Sequence, residues 1–110
     1  MELAFAEREL RALCLNEFRA VQELGPRVAE KLKRRLADLA AAPTVSDLFG
    51  LPGNPRPNPD FPKQIVLNLI DGWQMHFESG HLKKRMFDTS EVDWAQTRRI
   101  KILRLENSND

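Results

Sequence analysis

The stretch Ile65 to Glu78, IVLNLIDGWQMHFE, constrains the fold more than any other part of the chain. A β-prone run, the dipeptide Asp71-Gly72 and a second alternating run together predict a tight β-hairpin. Side chains alternate across a strand, so if Trp73, Met75 and Phe77 face a core, Gln74, His76 and Glu78 face the other side of the sheet. That second row is polar. A final apolar run from Arg99 to Leu105 supplies another strand, through Ile100, Ile102, Leu103 and Leu105. Its alternation breaks between Ile102 and Leu103, as in a bulge or in a strand covered on both faces. The long polar excursion from Ser79 to Thr97 carries Trp94, which either stacks a base or anchors its loop to the body.

Upstream the period changes. Leu3 and Phe5 alternate with Glu2 and Ala4, which reads as a short opening strand. Leu10, Leu13, Cys14, Val21 and Leu24 then recur near a 3.6-residue spacing, predicting one amphipathic helix that ends at Gly25. Pro26 suits the first turn of a second helix, whose stripe is Val28, Leu32, Leu36 and Leu39. The two helices should form a hairpin, with Leu10, Leu13, Leu32, Leu36, Trp73, Met75 and Phe77 meeting in one core. Between helices and strands lies PGNPRPNPDFP, Pro52 to Pro62, with five prolines in eleven positions. Such a segment is neither helix nor central strand, and reads as a stiff surface connection.

A chain of 110 residues has room for one modest core, so residues 1–110 are expected to be one domain. Lys plus Arg is 17 against 16 for Asp plus Glu, a net charge of +1. No field of one sign covers the molecule, and any nucleic-acid site must be local. The single Cys14 excludes an internal disulfide framework, reads as a small buried hydrophobe and fits a reducing compartment. No apolar run approaches bilayer length and the charged start MELAFAERE has no signal-peptide character, so a soluble cytoplasmic protein without membrane contact is expected. Neither His81 nor Cys14 has neighbours at metal-ligand spacing, and no glycine-rich phosphate loop is present. No metal or nucleotide cofactor is therefore expected.

The order strand, helix, helix, Pro-containing loop, hairpin and last strand resembles the RelE/ParE superfamily of bacterial toxins, nearest its HigB branch. RLADLAAAPTVSDL is similar to that family's helix and connector, GNPRPNP resembles its G-x-P-H-P loop, and DGWQMHF resembles its G-[YW]-R-[LI]-x-F hairpin. VDWAQTRRIKILRLEN resembles the family's tail, which continues into E-D-Y-H. The likeness spans nearly the whole chain. It implies an α+β, RelE-like fold, with two N-terminal helices packed on a small, mostly antiparallel twisted sheet. It also implies the toxin of a type II toxin-antitoxin pair, an mRNA interferase that cleaves translated mRNA on the ribosome, held inactive by a helix-turn-helix, HigA-like antitoxin.

Metal-free RNA cleavage needs a base for the 2′-hydroxyl, an acid for the departing 5′-oxygen and cations for the charge at phosphorus. Here the chain departs from the family pattern. Arg56 stands where the loop motif has His, Gln74 where the hairpin has Arg, and Glu106, Asn107, Ser108 and Asn109 where the tail has E-D-Y-H. A guanidinium holds its proton near neutral pH and is no substitute for a histidine base. The remaining candidates are Arg56 as a phosphate fork, His76 as a proton-transfer group and Glu106 as a proton acceptor. His76 reads equally as a solvated side chain on a polar strand face. Gln74, Lys83, Lys84, Arg85, Arg98, Arg99 and Lys101 are candidates for the RNA backbone, or solvated charge. Two functions follow: an endoribonuclease, or a toxin-like binder without cleavage, either a degenerate nuclease or a ParE-like inhibitor of another target such as gyrase.

Overall fold

The computed structural model describes residues 1–81 and 92–108. Along these, the chain runs β1 (Glu2–Phe5), α1 (Arg8–Leu15), α2 (Glu17–Leu24), α3 (Pro26–Ala41), β2 (Arg56–Pro57), β3 (Gln64–Asn68), β4 (Trp73–Ser79) and β5 (Arg99–Asn107). Short 3-10 turns lie at Val45–Leu48 and Trp94–Gln96. Among the described residues the strands form one sheet in the order β1-β5-β4-β3-β2, with β1 parallel to β5 and every other pair antiparallel. The molecule is a small α+β domain with a mostly antiparallel sheet.

The hairpin forms as its sequence requires. Asp71 and Gly72 both take positive φ, 57° and 83°, and the Trp73 N–H donates to the Ile70 carbonyl at 3.1 Å. Positive φ at both central residues is the type I′ pattern, whose twist matches that of the paired strands. The resulting register sets Ile65 opposite Phe77 and Leu67 opposite Met75. All four are fully or almost fully buried, and they meet Leu32 and Leu39 of α3 with Ile100 and Ile102 of β5 in one core. Trp94 packs its partly buried ring against the same cluster, so it anchors its loop.

The helical half differs from the sequence expectation in number. One helix was expected from Leu10 to Leu24, but Asn16 breaks it into α1 and α2. Its backbone is extended (φ −109°, ψ 104°) and its side-chain oxygen accepts from the Arg19 N–H at 3.1 Å. Asn is among the best N-cap residues, and this bond satisfies a donor that a continuous helix would have paired elsewhere. The break re-aims the apolar stripe. Val21, expected inside, is exposed together with Leu15 and with Phe18, which is 73% exposed. Leu13 and Trp73, also expected in the core, are only half-buried, while Leu10 and Leu36 pack against it in part. Gly25 ends α2 at φ 86° and Pro26 opens α3. At the far end of α3 the Met1 ammonium donates to the carbonyls of Ala40 and Ala42 at 2.8 and 2.7 Å, putting positive charge where the helix dipole is negative.

The proline segment contains β2, two residues at the edge of the sheet, the one sheet position that tolerates Pro. Gly53 seats this loop on β3. A Cβ there would lie 2.5 Å from Leu67 Cδ1, its φ is +99°, and its carbonyl accepts the Asn68 N–H at 2.7 Å. That contact sets Arg56 at the margin of the sheet.

Candidate functional site

The helices bury one face of the sheet, and the opposite face carries the polar row. Its composition depends on a bulge. His76 pairs with Arg104 but the next residue, Phe77, pairs with Ile102, so Leu103 is the extra residue on β5. Without it, strict alternation from Lys101 would send Leu103 and Leu105 to the polar face, and Arg104 and Glu106 into the core. With it, Leu105 joins Met75 on the inner face while Arg104 and Glu106 flank His76. The broken alternation at Ile102-Leu103 is thus what builds the site.

His76 is 4% exposed. It is not the solvated side chain that a polar strand face suggests. Its Nδ1 lies 3.2 Å from a terminal nitrogen of Arg104, which is donor only, so Nδ1 accepts and Nε2 carries the proton. Nε2 in turn sits 2.9 Å from Glu106 Oε2, although off the line of an aligned hydrogen bond. Arg104 also reaches Gln64 Oε1 at 3.4 Å, and its Nε is 3.7 Å from Glu106. Arg56 stands two strands beyond His76, opposite Val66 on β3. It donates to the Asn54 carbonyl at 2.8 Å and to Asn68 Oδ1 at 3.2 Å, and Gln74 donates to the same oxygen at 3.3 Å. Two adjacent ladder rows therefore carry the cluster, Arg104-His76-Val66-Arg56 and Glu106-Gln74-Asn68.

Burial lowers the basicity of His76 below the ordinary imidazole value of 6.5; the charges of Arg104 and Arg56 push the same way, and Glu106 opposes them. The folded ring therefore resists protonation at a pH where the unfolded chain accepts it. Just below pH 6.5 the unfolded state binds more protons, so stability is lost as pH falls from about 6.5 toward the lower folded value, then levels off. His76→Gln should flatten that window, because Gln keeps a donor and an acceptor but does not titrate. Denaturant midpoints for the two proteins between about pH 7.5 and about pH 5 check this, because every other group is common to both. Equal slopes would contradict it.

Of the sequence candidates, His76, Glu106, Gln74 and Arg56 come together on one face. Lys101 shares the face, 3.7 Å from Glu78, and Arg99 lies 3.7 Å from Glu2. The Arg98 side chain is exposed nearby and its N–H donates to His81 Nε2 at 2.9 Å. Lys83, Lys84 and Arg85 lie outside the described residues, as does Asn109. Three site residues escape sequence reasoning: Arg104, Gln64 and Asn68. For Arg104 the signal was the bulge, since once Leu103 is the extra residue Arg104 must face His76. Ser108 is bound away from the cluster, its N–H and hydroxyl both donating to the Gly72 carbonyl at 2.9 and 3.1 Å. Burial raises the Cys14 thiol to about 11, in keeping with an unreactive apolar side chain. Among the described residues no cluster of three metal-ligating side chains occurs, and no helix is long and apolar enough to cross a membrane.

No family model, curated protein or solved structure matches this chain.

Proposed function

We propose that this protein is a HigB-like toxin of the RelE/ParE superfamily, a metal-independent endoribonuclease that cleaves translated mRNA on the ribosome and is paired with a helix-turn-helix antitoxin. The observation that carries the reading is the Glu106-His76-Arg104 cluster, with Arg56 beside it on one polar sheet face. Carboxylate, imidazole and two guanidiniums supply the base and the cations that phosphodiester transesterification uses. The 2′-hydroxyl proton passes to His76 Nδ1, the 2′-oxygen bonds to phosphorus and the bond from phosphorus to the 5′-oxygen breaks. Arg56 and Arg104 hold the charge that collects on the phosphoryl oxygens, while Glu106 stabilises the imidazolium through Nε2. The 5′-oxygen takes its proton from water and the imidazolium returns its own to water, leaving a 2′,3′-cyclic phosphate. No dedicated acid serves the leaving group, so the expected enzyme is slow. Leu15, Phe18 and Val21, exposed on the two short helices, support association with a protein partner.

The burial of His76 favours a second reading, a toxin-like protein that binds its target without cutting it. Controlled expression with mapping of mRNA 5′ ends separates the two. Growth arrest with new ends on translated messages supports the nuclease, and arrest with intact messages supports the binder. Growth without arrest, and without capture of a neighbouring gene's product, would remove the toxin assignment altogether.

A further inference from the structure

Arg104 is held by its neighbours in an unusual way. Its contacts to His76 Nδ1, Gln64 Oε1 and Glu106 Oε2 are 3.2, 3.4 and 3.7 Å, all longer than the roughly 2.7–2.9 Å of a strong charge-assisted bond. Its side chain is 39% exposed. A guanidinium with no close carboxylate is free to turn toward a better acceptor, and in its present position it covers the lone pair of Nδ1. Arg56 faces it across the sheet. The row Arg104, His76, Val66, Arg56 spans three strand spacings, about 14 Å between the outer Cα atoms. Two arginine side chains close that distance over a single anion. Arg56 is braced by Asn54 and Asn68, so Arg104 is the one that moves.

We propose that Arg104 caps Nδ1 of His76 in the free protein and is drawn off it by a phosphodiester bridging Arg104 and Arg56. This rests on the nuclease reading of the same site, and names the event that makes its base available. The charged groups around His76 set the sign. Among the described residues Arg104 and Glu106 face it from β5, Arg56 from β2 and Glu78 flanks it on β4, while β3 presents only Gln64, Val66 and Asn68. A bound phosphate neutralises the two cations that oppose the imidazolium, so ligand capture and a more basic His76 are one event. Glu106 keeps hold of the Nε2 side throughout.

Imidazole nitrogen resonances of His76, followed by NMR as pH is varied, read this directly. The probes are inorganic phosphate and a dinucleotide with a 2′-O-methyl group, which cannot be cut. In the wild type, either probe should shift the Nδ1 resonance and raise the pH at which His76 titrates. Arg104→Gln should weaken phosphate binding by about tenfold, the loss of one charge-assisted contact. It should also abolish the effect of phosphate on His76. Arg104→Lys, which keeps the charge, should restore part of both and guards against a folding artefact. Phosphate that moves the His76 titration as far in Arg104→Gln as in the wild type, or that binds with Nδ1 unaltered, would overturn the proposal. If His76 responds to phosphate through Arg104 but mRNA stays whole, the capping role stands and the cleavage reading fails. If mRNA is cut by a protein whose His76 ignores phosphate, the reverse holds.

Discussion

Phe77→Ala is expected to lower the unfolding free energy by about 3–5 kcal/mol, since Phe77 is the largest fully buried side chain among the described residues. Phe77 is fully buried and lies between Ile65 of β3 and Ile102 of β5, where the sheet meets α3 at Leu32 and Leu39. It is also the first residue of β4 past the bulge, so the register that turns Arg104 and Glu106 outward is set at this point. Removing the ring leaves a cavity walled on two sides by paired strands, which cannot collapse without breaking ladder hydrogen bonds. A domain of this size is stable by only about 5–15 kcal/mol, so the variant should unfold at a much lower denaturant concentration. Leu36→Ala is the internal control. Leu36 only borders the core, so its loss should be clearly the smaller. A Phe77→Ala loss below about 1 kcal/mol would contradict this packing.

The parts of this fold that could be read from sequence are those where one local rule decides. Asp71-Gly72 permits few alternatives to a tight turn, and Gly25-Pro26 both ends one helix and begins the next. Five prolines exclude a helix or a central strand from Pro52 to Pro62, and the only strand the segment supplies is the two-residue edge strand β2. Where two rules compete, the stripe alone misleads. Leu10 to Leu24 has a helical period throughout, yet Asn16 offers its side chain to the Arg19 N–H, and the cap prevails over continuity, turning Phe18 and Val21 outward. The site follows the same logic. Gln74 and His76 were assigned to the polar face by alternation along β4. Arg104 was not, because its face depends on where the bulge falls on another strand. Burial of His76 was invisible for a related reason: Arg104 and Glu106 approach its two ring nitrogens from a strand far away in sequence.

On the proposed nuclease reading, ribosome-dependent mRNA cleavage should fall by about 10²–10⁴-fold in His76→Ala and by less in Arg56→Ala, and should change little when the chain stops at Glu106. General acid-base catalysis accounts for a factor of that size, and His76 is the only imidazole in the cluster that can supply it. In the proposed reaction Arg56 would stabilise charge at phosphorus but move no proton, so its loss would remove one of two cations and leave the base. Asn107 and Ser108 do not titrate near neutral pH and orient rather than exchange protons. Ser108 is moreover bound to Gly72 at the hairpin turn, with three ladder pairs between it and the pair His76 with Arg104. The truncation does remove the last pair of β5, Trp73 with Asn107, so unfolding midpoints must be measured alongside cleavage. His76→Gln belongs in the series too, because it preserves hydrogen bonding to Arg104 and Glu106 while abolishing proton transfer. It should fold like the wild type and cleave like His76→Ala. If His76→Ala and His76→Gln cut as fast as the wild type while a folded truncation is inert, the chemistry lies in the tail and the cluster is structural. If no variant and no wild type cuts, yet expression still arrests growth, the Glu106-His76-Arg104 cluster serves binding and the second reading replaces the first.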